Sequence, residues 1–343
     1  MPDVSSVILQ QLSVSLLKSC GTPSPAAEII AEGLINANLA GHDSHGVLRL
    51  PSYLSGVELG HVIADAAPNV VSTSGATAIV DAAAGWGQPA MWLATRSACE
   101  LAQAFGIGAA VVQNSYHIGR VAPYVEWLAE QGQVGIAMAN AAPAVAPFGS
   151  RQRVLGTNPI AWAAPREEGH PPVSFDVATA GVAEGKLRVA RAKNLPAPAG
   201  NLVDREGRPT TDPNDFYAGG ALLAFGGHKG SGFSLLAQII GRGLAGMDPS
   251  AYDGPRGVNG PFILAIDPGR FTDPAEFRAQ TDAQCDVVTS SQPLEGVETV
   301  QLPGDPELAT REIRLRDGIP VADATWQELR TLAEQQGVAF PEL

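Results

Sequence analysis

Short apolar runs alternate with longer amphipathic segments through the middle of the chain. This alternation limits the possible folds more than any other feature. The runs ATAIVDA (76–82) and IGAAVVQ (107–113) read as strands, with a helical pattern over 88–105 between them. A further helix falls within 117–132, and strands are expected over 134–140, 159–164 and 262–266. Buried strands alternating with helices predict an α/β fold, a central sheet flanked by helices. Both ends of the chain read as helical. Apolar positions at helical spacing predict helices over 4–20, 24–40 and 47–58, and a last one over 322–336 that packs beside the first two. Ser24 is expected to cap the second helix, with Pro25 in its first turn and Gly41 stopping it. Helices are also expected over 229–245 and 269–280, and a polar, proline-rich loop over 195–215.

Of the 343 residues, 45% are hydrophobic and 17% charged, which is enough to build a sizeable core. The net charge of -13 argues against a nucleic-acid partner but leaves room for a small anionic substrate in a local basic pocket. Three scattered cysteines, Cys20, Cys99 and Cys285, suit a reducing cytoplasm rather than a disulfide framework. The start MPDVSS lacks the basic region of a secretory signal, and no apolar run is long enough to suggest a membrane span.

Five places could carry chemistry. In Gly41-His42-Asp43-Ser44-His45-Gly46, two glycines bracket a Ser-His pair. Histidine exchanges protons near neutral pH, as carbonyl/alcohol interconversion requires. Arg49, one helical turn on, could grip a carboxylate with its fork of donors. A helix cap with a surface histidine would use the same residues. His117 follows the strand 107–113, where ligands collect in α/β sheets; a buried histidine bonded to backbone is the alternative. Gly119, Arg120 and Val121 start the next helix, whose free N–H groups favour an anion such as a pyrophosphate. Thr157 and Asn158 offer neutral hydrogen bonds, or form an Asn-Pro turn. Asp176 could hold a ribose or an imidazole, or cap the segment 177–191. Gly226-Gly227-His228-Lys229-Gly230 feeds a helix N-terminus, a phosphate-binding arrangement that is not a Walker A loop. No GxGxxG follows a strand, and neither HExxH nor GxSxG occurs. His42 and His45 have no third ligand in view, so no metal site is expected.

Seven segments in order resemble the type 2 malate/L-lactate dehydrogenase family. They are AGHDSHGVLRLPSY (40–53), NSYHIGR (114–120), PFGSRQRVLGTNP (147–159), FDVATAGVAEGKLRVA (175–190), GRPTTDP (207–213), GGHKGSG (226–232) and LPGDPE (302–307). The resemblance implies a non-Rossmann NAD(P)-binding fold with a central mixed sheet, a helical region drawn from both termini, and a homodimer. It divides the chain into an N-terminal helical substrate and dimer region, 1–75 joined by 310–343, and an α/β cofactor-binding region, 76–309, with a helical insertion. It makes His45 the proton donor and acceptor, with Ser44 in a relay, and keeps His117 as a second catalytic candidate. Arg49 and Thr157 would contact the substrate. His45, Gly119, Arg120, Val121, Ser174, Phe175, Asp176, Val177, Ala178, His228, Lys229, Asn259, Gly304, Asp305, Pro306 and Glu307 would line the cofactor.

The expected activity is hydride transfer between NAD(H), with NADP as the other option, and a small 2-oxo or 2-hydroxy acid. Cyclic-imine carboxylate reduction and ureidoglycolate oxidation are the alternatives within the family, and a non-catalytic nucleotide-binding sensor is the alternative outside it. Lys186 stands where the imine-reducing branch carries Asp, which lowers the imine reading.

Overall fold

The computed structural model describes residues 1–192, 194–247 and 259–342. The N-terminal part comprises β1 (Asp3–Val4), α1 (Ser6–Ser19), α2 (Ser24–Leu39), two 3-10 turns (Asp43–His45 and Val47–Arg49) and α3 (Leu50–Glu58). Next come β2 (Asn69–Ser74), β3 (Thr77–Asp81), α4 (Gly87–Phe105), β4 (Ile107–Gln113), α5 (Ala122–Glu130), β5 (Val134–Ala139), β6 (Val145–Ala146), β7 (Ile160–Ala164) and β8 (Val173–Val177). Then follow α6 (Glu184–Ala192), β9 (Leu202–Val203), α7 (Pro213–Tyr217), β10 (Ala221–Leu223), α8 (His228–Gln238), a π turn (Ile239–Gly243) and β11 (Pro261–Ile266). A 3-10 turn (Pro268–Arg270), α9 (Pro274–Thr289), α10 (Asp305–Asp317), β12 (Ile319–Pro320) and α11 (Asp323–Gln336) complete the described chain.

The main sheet is mixed, in the order β2-β3-β4-β11-β5-β7-β8. β3 runs parallel to β4, while β11 lies antiparallel to both β4 and β5, with Ile263 opposite Ala110 and Ala137. β7 reverses against β5 and β8 against β7, so β3, β4, β5 and β8 all point the same way. Alternation along β11 and β5 buries every second residue. The buried set is rich in alanine (Ala110, Ala137, Ala161, Ala163, Ala265), and small side chains let α4 and α5 lie close on that face.

A second core joins the chain ends. Leu9, Leu16 and Leu17 of α1, Ile30 and Leu34 of α2, and Leu50 of α3 are fully buried together with Leu329 and Ala333 of α11. Each large side chain buried this way contributes about 1.5–3 kcal/mol. β1 pairs with β12 and ties the N-terminus to the segment before α11. The α/β architecture therefore matches expectation, and the last helix packs on α1 as expected, but its other main neighbour is α3 and not α2. β6, β10 and β9 form a separate small sheet.

Several boundaries differ from the sequence reading. Pro23, not Ser24, is the N-cap of α2, and Ser24 lies inside the helix. The helix expected over 229–245 passes into the π turn after Gln238, and that expected over 269–280 is α9, preceded by the 3-10 turn. The loop 195–215 contains β9 and starts α7. The turn at Leu302–Asp305 leads into α10, an unexpected thirteen-residue helix.

Candidate active site

The carboxyl ends of β4, β5 and β8 open on one edge of the sheet, and the candidate residues gather there. α2 ends at Leu39, the chain turns at Gly41, and the 3-10 turn that follows holds Ser44 and His45. Asn38 organises this turn: its amide nitrogen donates to Asp43 Oδ1 at 2.6 Å, and its oxygen accepts from Val47 N at 2.9 Å. Gly46 passes so close to Asn38 that any Cβ there would sit inside the carboxamide. α10 closes the turn from outside. Arg314 donates to Asp43 Oδ1 at 2.6 Å and to the Asn38 carbonyl, and Glu307 lies 3.2 Å from His42 Nε2.

Two imidazoles meet here. His45 and His117 stack with centroids 5.6 Å apart and planes 22° from parallel. Ser44 Oγ lies 3.0 Å from His45 Nδ1, and Tyr53 Oη lies 2.8 Å from His117 Nδ1. Each Nδ1 therefore meets a hydroxyl, which leaves Nε2 as the nitrogen available to a ligand. Arg49 Nε donates to the Ser44 carbonyl at 2.7 Å, and among the described residues no carboxylate lies within 4.0 Å of its guanidinium. Burial lowers the His45 pKa to about 3, assisted by the charges of Arg49, His42 and Arg120. Burial likewise pushes His117 well below its ordinary value, helped by Arg49 and His45. Both rings are neutral at neutral pH beside an unpaired cation.

The remaining candidates form a belt around this pair. Asp176, at the end of β8, accepts from Val121 N at 2.9 Å and Ala122 N at 2.8 Å. Of the amides that the sequence offers to an external anion, that of Val121 is thus taken by a carboxylate of the protein, and Asp176 caps α5, not the segment after it. Burial raises the Asp176 pKa against the opposing pull of Arg120. Arg120 itself is buried, bonded to Asn36 at 3.1 Å and Glu126 at 3.4 Å. Ser174 donates to Glu126 at 2.9 Å, and Gly304 lies against Ser174. Asp305 accepts from Leu302 N at 2.7 Å, and Pro306 stands in the first turn of α10. Phe175 and the end of β8, Val177, lead into Ala178, which is half-buried.

Thr157 accepts from Thr179 N and Oγ1 through its carbonyl. Buried Asn259 bridges strand ends, accepting from Ile118 N and donating to the Asn140 carbonyl at 2.5 Å. This is a structural tie that its sequence position does not reveal. His228 packs on Phe148, and Lys229 is exposed at the start of α8 with no carboxylate within 4.0 Å among the described residues. Gly185, at the start of α6, touches Ser44. Sequence reasoning missed Tyr53, Gln88, Asn38 and Arg314 as site residues. Tyr53 carries a readable signal, lying four residues past Arg49 as Arg49 lies four past His45.

A family model described as malate/L-lactate dehydrogenase matches residues 4–330. The chain belongs to the malate/L-lactate dehydrogenase family. A family member from Pseudomonas syringae pv. tomato, named Delta(1)-pyrroline-2-carboxylate/Delta(1)-piperideine-2-carboxylate reductase, is 37% identical over 91% of each chain. Hydroxycarboxylate dehydrogenase B of Escherichia coli K12 is 35% identical over 94% of this chain and 91% of its own. The solved structure of sulfolactate dehydrogenase from Methanocaldococcus jannaschii superposes with a TM-score of 0.90 at 31% identity, covering 99% and 98% of the two chains. The malate/L-lactate dehydrogenase family thus contains both hydroxy-acid dehydrogenases and cyclic-imine reductases of similar likeness to this chain. Among the described residues no helix is long and apolar enough to cross a membrane, and no group of three or more His, Cys, Asp or Glu side chains could hold a metal ion.

Proposed function

We propose that the chain is a nicotinamide-dependent oxidoreductase interconverting small 2-oxo and 2-hydroxy carboxylic acids. The stacked His45–His117 pair beside the unpaired Arg49 carries this reading. The fork of Arg49 holds the substrate carboxylate, with the Thr157 hydroxyl as a second contact. His45 Nε2 exchanges a proton with the C2 oxygen, and Ser44 Oγ relays the compensating proton between Nδ1 and solvent. His117 contacts the same ligand from the neighbouring ring.

The donor set suits a dinucleotide. Lys229 is an exposed, unpaired cation at the glycine-rich start of α8 and would meet phosphate. Gly119–Val121, Ser174–Ala178, Asn259, His228 and Gly304–Glu307 would line the rest of a groove that lacks the Rossmann fingerprint. When bound, a nicotinamide supplies or accepts the hydride at C2. NAD is the preferred cofactor in this reading, with NADP as the other. The test is isotopic: with NADH deuterated at C4 and pyruvate or oxaloacetate, the 2-hydroxy acid should carry deuterium at C2, and an unlabelled or absent product counts against it.

A second reading, cyclic-imine carboxylate reduction, is supported by the likeness to the Pseudomonas reductase. The same residues would then deliver the proton to nitrogen. Including a cyclic imine acid in the labelling assay separates the two.

We also read the chain as a cytoplasmic homodimer whose region 1–75, with 310–343, shapes the substrate side. Phe233, Leu235, Leu236, Ile239 and Leu244 expose a run of apolar surface along α8 and the π turn that suits a second copy. The three free cysteines suit a reducing compartment.

A further inference from the structure

The two histidines differ in what holds them. Ser44 Oγ bonds His45 Nδ1 and has no other hydrogen-bond partner among the described residues. Its hydroxyl can turn between donating and accepting, so His45 is free to change tautomer. Tyr53 is constrained. Its Oη accepts from Gln88 Nε2 at 2.9 Å and lies 2.8 Å from His117 Nδ1. Tyr53 is buried at 1% exposure and packs on Trp86, Tyr116 and His117. With Gln88 donating to Oη, the hydrogen-bond acceptor that its phenolic proton meets among the described residues is His117 Nδ1. In this orientation the Gln88 amide nitrogen donates to Oη and its oxygen Oε1 has no hydrogen-bond partner among the described residues.

We propose that Tyr53, oriented by Gln88, is a positioning residue that fixes His117 as the neutral Nε2–H tautomer. His117 then serves as a hydrogen-bond donor to the bound acid, and proton exchange falls to His45. The catalytic half of this proposal rests on the oxidoreductase reading above. Arg49 and His45 are the groups whose charge bears on His117, and both oppose a proton on its ring. A neutral N–H donor polarises a carbonyl without giving its proton away. Neither Tyr53 nor Gln88 needs to touch the substrate. Their effect passes through which ring nitrogen carries the hydrogen.

The test is nitrogen-detected NMR of the full chain labelled with 15N-histidine, the His117 signals being assigned by their loss in His117→Gln. Wild type should show His117 as Nε2–H. Tyr53→Phe should release it to a mixture of tautomers, and Gln88→Met, which frees Tyr53 to accept from Nδ1–H, should shift it the same way. Either variant suffices if the other does not fold. With any 2-oxo acid that wild type turns over, Tyr53→Phe should lower kcat roughly ten- to hundredfold with little change in cofactor KM. A wild-type His117 in the Nδ1–H form, an unaltered tautomer in both variants, or an unaltered kcat in Tyr53→Phe overturns the proposal. The tautomer is measured without turnover, so absence of activity on every 2-oxo acid would fail the oxidoreductase reading alone.

Discussion

The imidazoles of His45 and His117 stack at 5.6 Å, and burial and the nearby Arg49 hold both neutral. In the unfolded chain each ring protonates near its ordinary value of about 6.5. Below that pH the unfolded state binds protons that the folded state refuses, so stability falls as pH drops from about 6.5 toward 3, the His45 value. Each ring contributes a slope of at most about 1.4 kcal/mol per pH unit. Urea unfolding at pH 7, 6 and 5 should therefore show a shallower decline in His117→Gln than in wild type. Equal slopes would mean that this ring is not held neutral.

Asp176 does for α5 what an external anion would do. Removing it in Asp176→Ala strands two backbone N–H groups and takes away one of the two carboxylates beside Arg120, the one 4.0 Å away. The expected loss is about 1–3 kcal/mol, because two N–H groups lose a charged acceptor while Glu126 still pairs with Arg120 at 3.4 Å. Asp176→Asn keeps an acceptor for the amides and should lose less. Denaturant midpoints of both variants check this, and a loss below about 1 kcal/mol in Asp176→Ala contradicts the capping role.

Gly185 lies where a Cβ would come within 2.6 Å of Ser44 Cβ. Gly185→Ala should displace the Ser44–His45 pair and reduce kcat/KM by roughly ten- to hundredfold. The same change favours helix α6 by about 0.5–1 kcal/mol, which offsets part of the clash, so the melting temperature should fall only slightly. Lost activity with largely retained stability is the expected signature. Unchanged activity would show that α6 does not press on Ser44.

Arg314 clamps the Ser44–His45 turn from α10 through Asp43 and the Asn38 carbonyl. Arg314→Met should lower kcat/KM by about tenfold through misplacement of His45, while Arg314→Lys keeps the charge but not the fork and should fall between. Steady-state kinetics on the two variants, with circular dichroism to check folding, decides this. Equal activity of all three proteins would remove α10 from the account.

What the sequence disclosed follows from where the physics is local. β4 and the helices α1, α2 and α4 carry strong apolar periodicity, and their boundaries fall close to expectation. β2 was not legible, because all six of its residues are exposed and no alternation marks a buried face. α10 was not legible because none of its residues is buried, so it has no apolar stripe; only its acidic first turn and basic last turn mark it. The Ser44–His45–Arg49 segment was readable as a site, since proximity in sequence keeps those residues together. The pairing of Tyr53 with Gln88, 35 residues on, and with His117, 64 residues on, depends on tertiary packing that no spacing encodes. Asp176 was readable as a capping residue, but the helix that it caps lies more than 50 residues earlier.

The central claim is that His45 moves the proton while a nicotinamide exchanges hydride with a 2-oxo acid. The direct measurement is NADH and NADPH oxidation by purified wild type and His45→Ala against pyruvate, oxaloacetate, phenylpyruvate and a cyclic imine acid. We predict oxidation with at least one 2-oxo acid, and a fall in kcat of roughly a hundredfold to ten-thousandfold in His45→Ala with cofactor binding retained. No oxidation by wild type with any 2-oxo acid, or undiminished turnover in His45→Ala, would contradict it.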